Sequence, residues 1–337
     1  MTDAVCYFIQ THRDPEQIYR LVRTLRRGGN PKSLVVVQHN PVGFELDWSP
    51  VADLPGVYLM PPCAPQLRSH YSCQVQPFVD LIDWLEREGL AYDWMVNLSA
   101  QDYPVTPIPV VEAFLSETAA DGFIRYWDVL SPASPWKVRK ARNRYWHYHW
   151  WLPAKAEPAL RLLRPLTKVL PISVTLSYGS LLGVRRLRTP FRDGFRCYGG
   201  WAWFSLRREA ILYFREFLRE HPDVERHYEK TQTPEESLVQ TILVNSGRFK
   251  LVDDDFRYID YAQANKGSPR TLTVADLPLL ASGKYHFARK FDLGVDAAVL
   301  DRIDREILEG PSSPQPSSPG PPPTPAGEKR ERSAQDS

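Results

Sequence analysis

The pattern at the N-terminus restricts the fold more than any other stretch of the chain. Ala4-Val5-Cys6-Tyr7-Phe8-Ile9 is a continuous apolar run of strand length, followed at once by Gln10, His12, Arg13 and Asp14. Asp14-Pro15 then opens a helix carrying Ile18, Leu21, Val22 and Leu25 on one side. After Gly28-Gly29-Asn30-Pro31 comes a second apolar run, Leu34-Val35-Val36-Val37. Strand, helix and strand in this order favour a parallel sheet. Its crossover is right-handed, and ligands of such sheets sit beyond the carboxyl ends of the strands.

The alternation continues along the chain. Val57-Tyr58-Leu59 reads as a third strand and Phe78 to Leu85 as a helix ending near Gly89; Trp94-Met95-Val96-Asn97-Leu98 is a strand running into Ser99-Ala100-Gln101-Asp102-Tyr103-Pro104. A polar cluster directly after a buried strand is where an α/β protein places ligand contacts. Val110 to Leu115 predicts a helix, Gly122 to Tyr126 a strand and Arg207 to Leu218 a helix. The paired Gly199-Gly200 permits close backbone approach just before the apolar strand that ends at Leu206. A last helix is expected from about Asp296 to Leu308. The Ser-Pro repeats that follow cannot bury a core, so the expected organisation is one domain over 1–308 and a disordered tail over 309–337.

Thr233-Pro234-Glu235-Glu236-Ser237-Leu238-Val239-Gln240-Thr241-Ile242-Leu243 predicts a further helix, with Thr233 as N-cap, Pro234 in the first turn and Glu236 as the capping-box acid. A carboxylate held at the start of a core-packed helix is fixed in place, as a general base must be. The competing role for Glu236 is the capping box itself, and the positive end of a helix lowers the basicity of an acid placed there.

Charge and composition exclude some classes and leave others open. A formal charge of +2 gives no global pull towards nucleic acid. Residues 136–151 nevertheless interleave Lys137, Arg139, Lys140, Arg142 and Arg144 with Tyr145-Trp146-His147-Tyr148-His149-Trp150-Trp151, a pattern that stacks on bases or sugars, or packs as a long loop over the fold. His147 and His149 have no carboxylate or cysteine near them in sequence to complete a metal set, and no metal is expected. Residues 160–184 are rich in Leu, Val and Ile but broken by Arg161, Arg164, Pro165, Lys168 and Pro171. They predict a packed helical insertion; the alternative is weak peripheral contact with a membrane surface through 160–188, flanked by Arg185, Arg186 and Arg188. The scattered Cys6, Cys63, Cys73 and Cys197 are expected as free thiols.

Four of these segments, in this order, resemble one family. Asn97 to Val105, Gly199-Gly200-Trp201-Ala202-Trp203-Phe204, Pro234-Glu235-Glu236-Ser237 with Gln240-Thr241-Ile242-Leu243, and Phe287-Ala288-Arg289-Lys290-Phe291 are similar to the core-2/I-branching β-1,6-N-acetylglucosaminyltransferases and the related peptide O-xylosyltransferases. The N-terminal strand with His12 and Asp14-Pro15-Glu16 looks like the start of the same domain.

The resemblance implies a GT-A-like, Rossmann-type mixed sheet flanked by helices and an inverting transfer, without metal or other cofactor, of a sugar from a UDP-sugar to an acceptor hydroxyl, with GlcNAc or xylose favoured. Carried onto this sequence, it places the base at Glu236 and sets Arg289 and Lys290, with Arg270 as a further candidate, against the diphosphate. Asp102 and Ser99 would line the donor pocket, Asp80 would touch uracil or ribose, and Trp203 and Trp201 would form the acceptor side. Asp253-Asp254-Asp255 contains an Asp-x-Asp pattern but falls on a different loop from the usual metal motif. Ala202 stands where other members carry an acid, which leaves the acceptor open among glycan, protein and small molecule. The family's usual secretory anchor and disulfide set are absent, so the expected location is cytoplasmic, with peripheral membrane contact through 160–188 as the variant of that expectation. Two further readings are a non-catalytic glycan- or nucleotide-sugar-binding protein on the same fold, and a glycoside hydrolase using Glu236 with a second acid.

Overall fold

A computed structural model of the chain describes residues 2–41, 44–61, 71–176, 179–261 and 268–310. Most of the tail expected over 309–337 and Cys63 lie outside the described residues. Glu309 belongs to the folded part, because it ion-pairs with Arg27 at 2.5 Å.

The opening unit forms as its pattern predicts. β1 (Val5–Thr11), α1 (Pro15–Leu25) and β2 (Leu34–His39) build a parallel pair, to which β3 (Val57–Met60) adds on one side and β4 (Trp94–Ser99) on the other. Alternate residues of these strands feed two cores. Val5, Tyr7, Ile9, Val35, Val37, Trp94, Val96 and Leu98 face one layer with Ile18, Leu21, Val22 and Leu25 of α1. Cys6, Phe8, Val36 and Met95 face the other, with Phe78, Leu81, Ile82 and Leu85 of α2 (Gln76–Arg87). A one-residue slip of β1 would turn both sets inside out, so burial on both faces fixes the register.

The chain continues through β5 (Asp102–Pro104), α3 (Ile108–Glu117), β6 (Gly122–Ile124), β7 (Trp127–Asp128), α4 (Val138–Tyr145), β8 (His147–Leu152), α5 (Glu157–Leu163), β9 (Ile172–Thr175), β10 (Ser180–Arg185), β11 (Tyr198–Gly199), β12 (Phe204–Arg207), α6 (Arg208–Glu220), α7 (Pro222–Tyr228), α8 (Leu238–Ser246), β13 (Leu251–Val252), β14 (Arg257–Ile259) and β15 (Phe287–Arg289). The main sheet runs β13-β6-β12-β4-β1-β2-β3. β12 is antiparallel to both its neighbours, which makes the sheet mixed. A second small sheet, β14-β15-β5, sets Arg289 opposite Asp102 and Phe287 opposite Arg257.

Two local expectations change. The stretch read as a loop at 145–151 and as a helical insertion at 160–184 forms a three-stranded antiparallel sheet, β8-β10-β9, with α5 packed on β9 and β10. The α-helix expected to start at Thr233 starts at Leu238, after a tight turn of 3₁₀ type over Pro234–Glu236. Thr233 sits in the left-handed region (φ 46°) and its side chain makes no cap bond, so no capping box forms with Glu236. The Glu236 carboxylate therefore has no local duty at the helix start.

Candidate active site

A cavity of about 510 Å³ opens at the carboxyl ends of the parallel strands. Thr11, His12 and Arg13 at and after the end of β1, Asn40 after β2, and Ser99, Ala100 and Gln101 at and after the end of β4 line one side of it, where a doubly wound sheet is expected to hold its ligand. The other side consists of Trp201 to Phe204 and Pro234 to Glu236, with Arg289 reaching in from β15.

The Gly-Gly-Trp motif and α8 are one assembly. Gly200 N donates to the carbonyl of Glu236 at 2.8 Å, Gln240 Nε2 to the carbonyl of Trp201 at 2.7 Å, and Tyr198 N to Thr241 Oγ1 at 3.0 Å. The glycines are needed because nothing larger fits. A Cβ at Gly200 would sit 1.8 Å from the carbonyl oxygen of Arg125, and one at Gly199 would meet the Trp136 ring at 2.4 Å. On the sheet side, Asn97 fastens the same loop by donating to the carbonyl of Ala202 (2.6 Å) and accepting from Phe204 N (2.7 Å). Trp201 stacks on Tyr261 with ring centres 5.2 Å apart.

Glu236 is held by Arg144 of α4, whose Nη1 donates to Oε2 at 2.5 Å. Arg144 is itself nearly enclosed, its side chain 4% exposed and its guanidinium 4.6 Å above the Trp136 ring; the Glu236 side chain is 22% exposed and opens on the cavity. Burial raises the Glu236 pKa above the ordinary carboxylate value and the Glu235 charge adds to the rise, while Arg144 and Lys140 oppose it. A raised pKa with a fixed orientation makes a better general base than a surface glutamate.

Across the cavity two guanidiniums lie on the Trp203 ring, Arg289 at 4.1 Å and Arg257 at 4.6 Å from its centre. Their partners differ. Arg257 donates to Asp102 Oδ1 at 2.5 Å and to the carbonyl of Asn97 at 3.0 Å, and both charged side chains are sealed, 1% and 0% exposed. Arg289 has no carboxylate partner among the described residues, and its buried Nε has no hydrogen-bond acceptor. Burial and the neighbouring Arg257 lower the Arg289 pKa, with Asp102 pulling the other way.

Of the residues singled out from sequence, Ser99, Trp201, Trp203, Glu236 and Arg289 meet in this cavity. Asp102 does not line it; buried, it accepts from Ser99 N (2.7 Å), Ser99 Oγ (2.5 Å) and Arg257 and so holds the wall from behind. Trp203, expected on the acceptor side, also carries the two guanidiniums. Arg270 is taken up by Asp260 (2.5 Å) and Asp276 (2.5 Å) and does not face the cavity. Lys290 leaves the lining too; the charges that act on it are Arg13, Asp292, Arg289 and Asp14, and of these Arg13 and Arg289 do line the cavity. Asp80 accepts from Gln76 within α2 at 2.8 Å and is likewise outside. Arg13, Arg144 and Arg257 were missed as site residues. No sequence signal set Arg257 apart, because it begins a three-residue strand among Asp253-Asp254-Asp255 and Asp260, and only the fold seals it against Asp102.

No group of three or more His, Cys, Asp and Glu side chains is assembled for a metal among the described residues. Asp253 accepts from Tyr126 N at 2.9 Å and pairs with Arg125, while Asp255 is buried with its pKa pushed up to about 7. His147 and His149 are also buried, their Nδ1 atoms against the carbonyls of Arg142 and Lys230.

Three curated relatives from Arabidopsis thaliana share modest identity with the chain. Beta-glucuronosyltransferase GlcAT14A is 28% identical over 66% of this chain and 44% of its own length, GlcAT14B 28% over 66% and 46%, and GlcAT14C 25% over 66% and 52%. The chain thus spans about half the length of the curated relatives it matches. Among solved structures, the WbbM bifunctional glycosyltransferase in its apo form overlays with a TM-score of 0.38 at 10% identity, covering 86% of this chain and 46% of that one. A 4-diphosphocytidyl-2C-methyl-D-erythritol synthase gives a TM-score of 0.27 at 16% identity, covering 39% and 62%. The family model of the Core-2/I-Branching enzymes matches residues 5–279, and the chain belongs to that family.

Proposed function

We propose that the protein is an inverting glycosyltransferase that moves a sugar from a UDP-sugar to an acceptor hydroxyl. The observation that carries this reading is that an acid with a raised pKa, Glu236, and a cation without a carboxylate partner among the described residues, Arg289, line one cavity at the carboxyl ends of the strands. The Glu236 carboxylate takes the proton of the acceptor hydroxyl as its oxygen attacks the anomeric carbon. The bond from that carbon to the β-phosphate oxygen breaks on the opposite face, and the nucleoside diphosphate leaves with its charge stabilised by Arg289. Arg144 aims the carboxylate. Arg13 and Lys290 add positive charge at the diphosphate end, and the step is proposed to run without a metal.

For the donor, the sequence motifs favour GlcNAc or xylose, and the names of the plant relatives add glucuronic acid to the sugars to be tried. The acceptor is a glycan, a protein or a small molecule. The test is Glu236→Gln beside Glu235→Gln: turnover of the preferred UDP-sugar should fall by about 10²–10⁴ in the first and stay within a few-fold of the parent in the second. The reading fails if Glu236→Gln turns over normally. Activity lost to EDTA and restored by Mn²⁺ would reject the metal-free step. A binding protein without catalysis is the second reading, favoured by the Arg144 clamp on the acid. Calorimetry showing UDP binding, with no donor consumed against a broad acceptor panel, would select it.

A further inference from the structure

The insertion from β8 through Arg188, just past β10, carries a surface that the transfer reaction does not use. Of the thirteen large apolar side chains exposed among the described residues, seven belong to it: Trp150, Leu162, Leu166, Val169, Leu170, Val184 and Leu187. Val169 is 84% and Leu187 102% exposed, values at which no packing within the chain accounts for the residue type. Backbone bonds bring the separate stretches together. Leu170 N donates to Leu166 O at 2.8 Å, and Arg185 N to Pro171 O at 2.8 Å, which sets Leu166 to Pro171 beside Val184 to Leu187 as one rim of the small sheet.

The charges on this rim have one sign. No acidic residue occurs between Glu157 and Asp193, and the exposed Arg164, Lys168, Arg185 and Arg188 have no carboxylate partner among the described residues. Arg161 is the exception, paired with Glu157 at 2.6 Å, and Arg186 is turned inward to His227 at 2.9 Å. Apolar side chains projecting between unpaired cations fit an interface that is itself layered, with anionic head groups over hydrocarbon. An acidic protein or polysaccharide would engage the cations and leave Val169, Leu170 and Leu187 in water. A second copy of the chain would bring the same cations face to face.

We infer that the rim Leu166–Pro171 with Val184–Arg188 docks the protein on an anionic membrane surface. None of these residues lines the cavity, so docking and sugar transfer are separable. The experiment is co-sedimentation of the full chain with vesicles of pure phosphatidylcholine and of phosphatidylcholine with 30% phosphatidylserine, at low and physiological salt. The parent should partition onto the anionic vesicles and not the neutral ones, more weakly as salt rises. Binding should drop by about 5-fold for each cation removed in Lys168→Gln and Arg188→Gln. The pair Val169→Ser and Leu187→Ser should cut it by at least tenfold with the melting temperature unchanged, because both side chains are already in water. Equal sedimentation with both vesicle types overturns the inference, as does undiminished binding of the Val169→Ser, Leu187→Ser variant. A concentration-dependent dimer that this variant abolishes, with no vesicle binding by the parent, would assign the rim to a second copy instead.

Discussion

Asp102 tells most clearly whether the site is built as described, because the sequence placed it in the donor pocket and the structure places it behind the wall. Its Oδ1 accepts from Arg257 and its Oδ2 from both the amide and hydroxyl of Ser99, with the carboxylate fully enclosed. In Asp102→Asn either orientation of the new amide turns its NH₂ towards a donor, the Arg257 guanidinium or the Ser99 N–H. It also leaves a sealed guanidinium without its counter-charge. Removing one partner of a buried ion pair costs about 3–5 kcal/mol, a large share of the roughly 5–15 kcal/mol that holds a domain folded. Replacing both partners, Asp102→Leu with Arg257→Met, removes the stranded charge and should cost much less than the two single changes added together. The assay is urea unfolding followed by fluorescence and far-UV circular dichroism, accepted only where the two transitions coincide. A loss below about 1 kcal/mol in Asp102→Asn would show that the carboxylate is solvated and free to meet substrate, and the scaffolding role would fall. Strictly additive losses in the pair would refute the coupling.

Three other outcomes follow from the same geometry. Gly200→Ala should destabilise by about 1–3 kcal/mol and lower turnover, since its Cβ meets the Arg125 carbonyl oxygen at 1.8 Å and the shift needed pulls on the bond from Gly200 N to the Glu236 carbonyl; unchanged urea midpoint and turnover would contradict it. Asp255 has a folded pKa of about 7 against an ordinary 3.8, because burial disfavours its charge, so the native state binds the extra proton in between. Its contribution is undiminished below about pH 4 and falls as the pH rises to 7, by at most about 4 kcal/mol, and Asp255→Asn should flatten the stability profile over that window in pH-dependent urea melts. Arg289→Met should weaken UDP binding in calorimetry by at least tenfold while leaving the melting temperature within about 2 °C, since no carboxylate is stranded by its loss; a large drop in stability would mean that Arg289 is structural.

What the sequence discloses and what it withholds divide by the range of the interaction. β1, α1, β2 and β4 were legible because each strand is buried on both faces and α1 on one, so Val5, Tyr7 and Ile9 against Cys6 and Phe8 write the sheet directly into an apolar run. Residues 172–175 and 180–184, within the segment read as helical over 160–184, are strand because of their pairing with β8 and with each other, partners that periodicity within the segment does not reveal. Thr233 had the composition of an N-cap, yet the segment before it is bound by distant contacts, Gln232 N to the Arg144 carbonyl at 3.1 Å among them. The backbone turns through the left-handed region there instead. Glu236 and Arg289 were found by motif, whereas Arg144 was hidden in a run of five cations of which only the structure distinguishes one.

The pairing of Arg257 with Asp102 beside Arg289 on the Trp203 ring lay beyond the sequence, and on the proposed function it keeps the cavity ready for an anion. Two cations stacked on one ring repel each other, and a fold that left both unpaired would carry the full cost of burying them. Asp102 neutralises Arg257 and ties it to the backbone of β4, which turns that residue into part of the wall and leaves Arg289 beside a pair of no net charge. Arg289 then keeps one unmet donor and the ring as its support, an arrangement that becomes favourable when a negative ligand arrives. On the opposite side Arg144 does for Glu236 what Asp102 does for Arg257, with one difference that matters chemically. The Arg144 contact reaches a single carboxylate oxygen, so the acid is oriented and partly compensated while its other oxygen stays available for a proton. One wall of the cavity thus holds a cation resting on the Trp203 ring beside a neutralised Arg257, and the other an acid oriented by Arg144, which does not itself line the cavity.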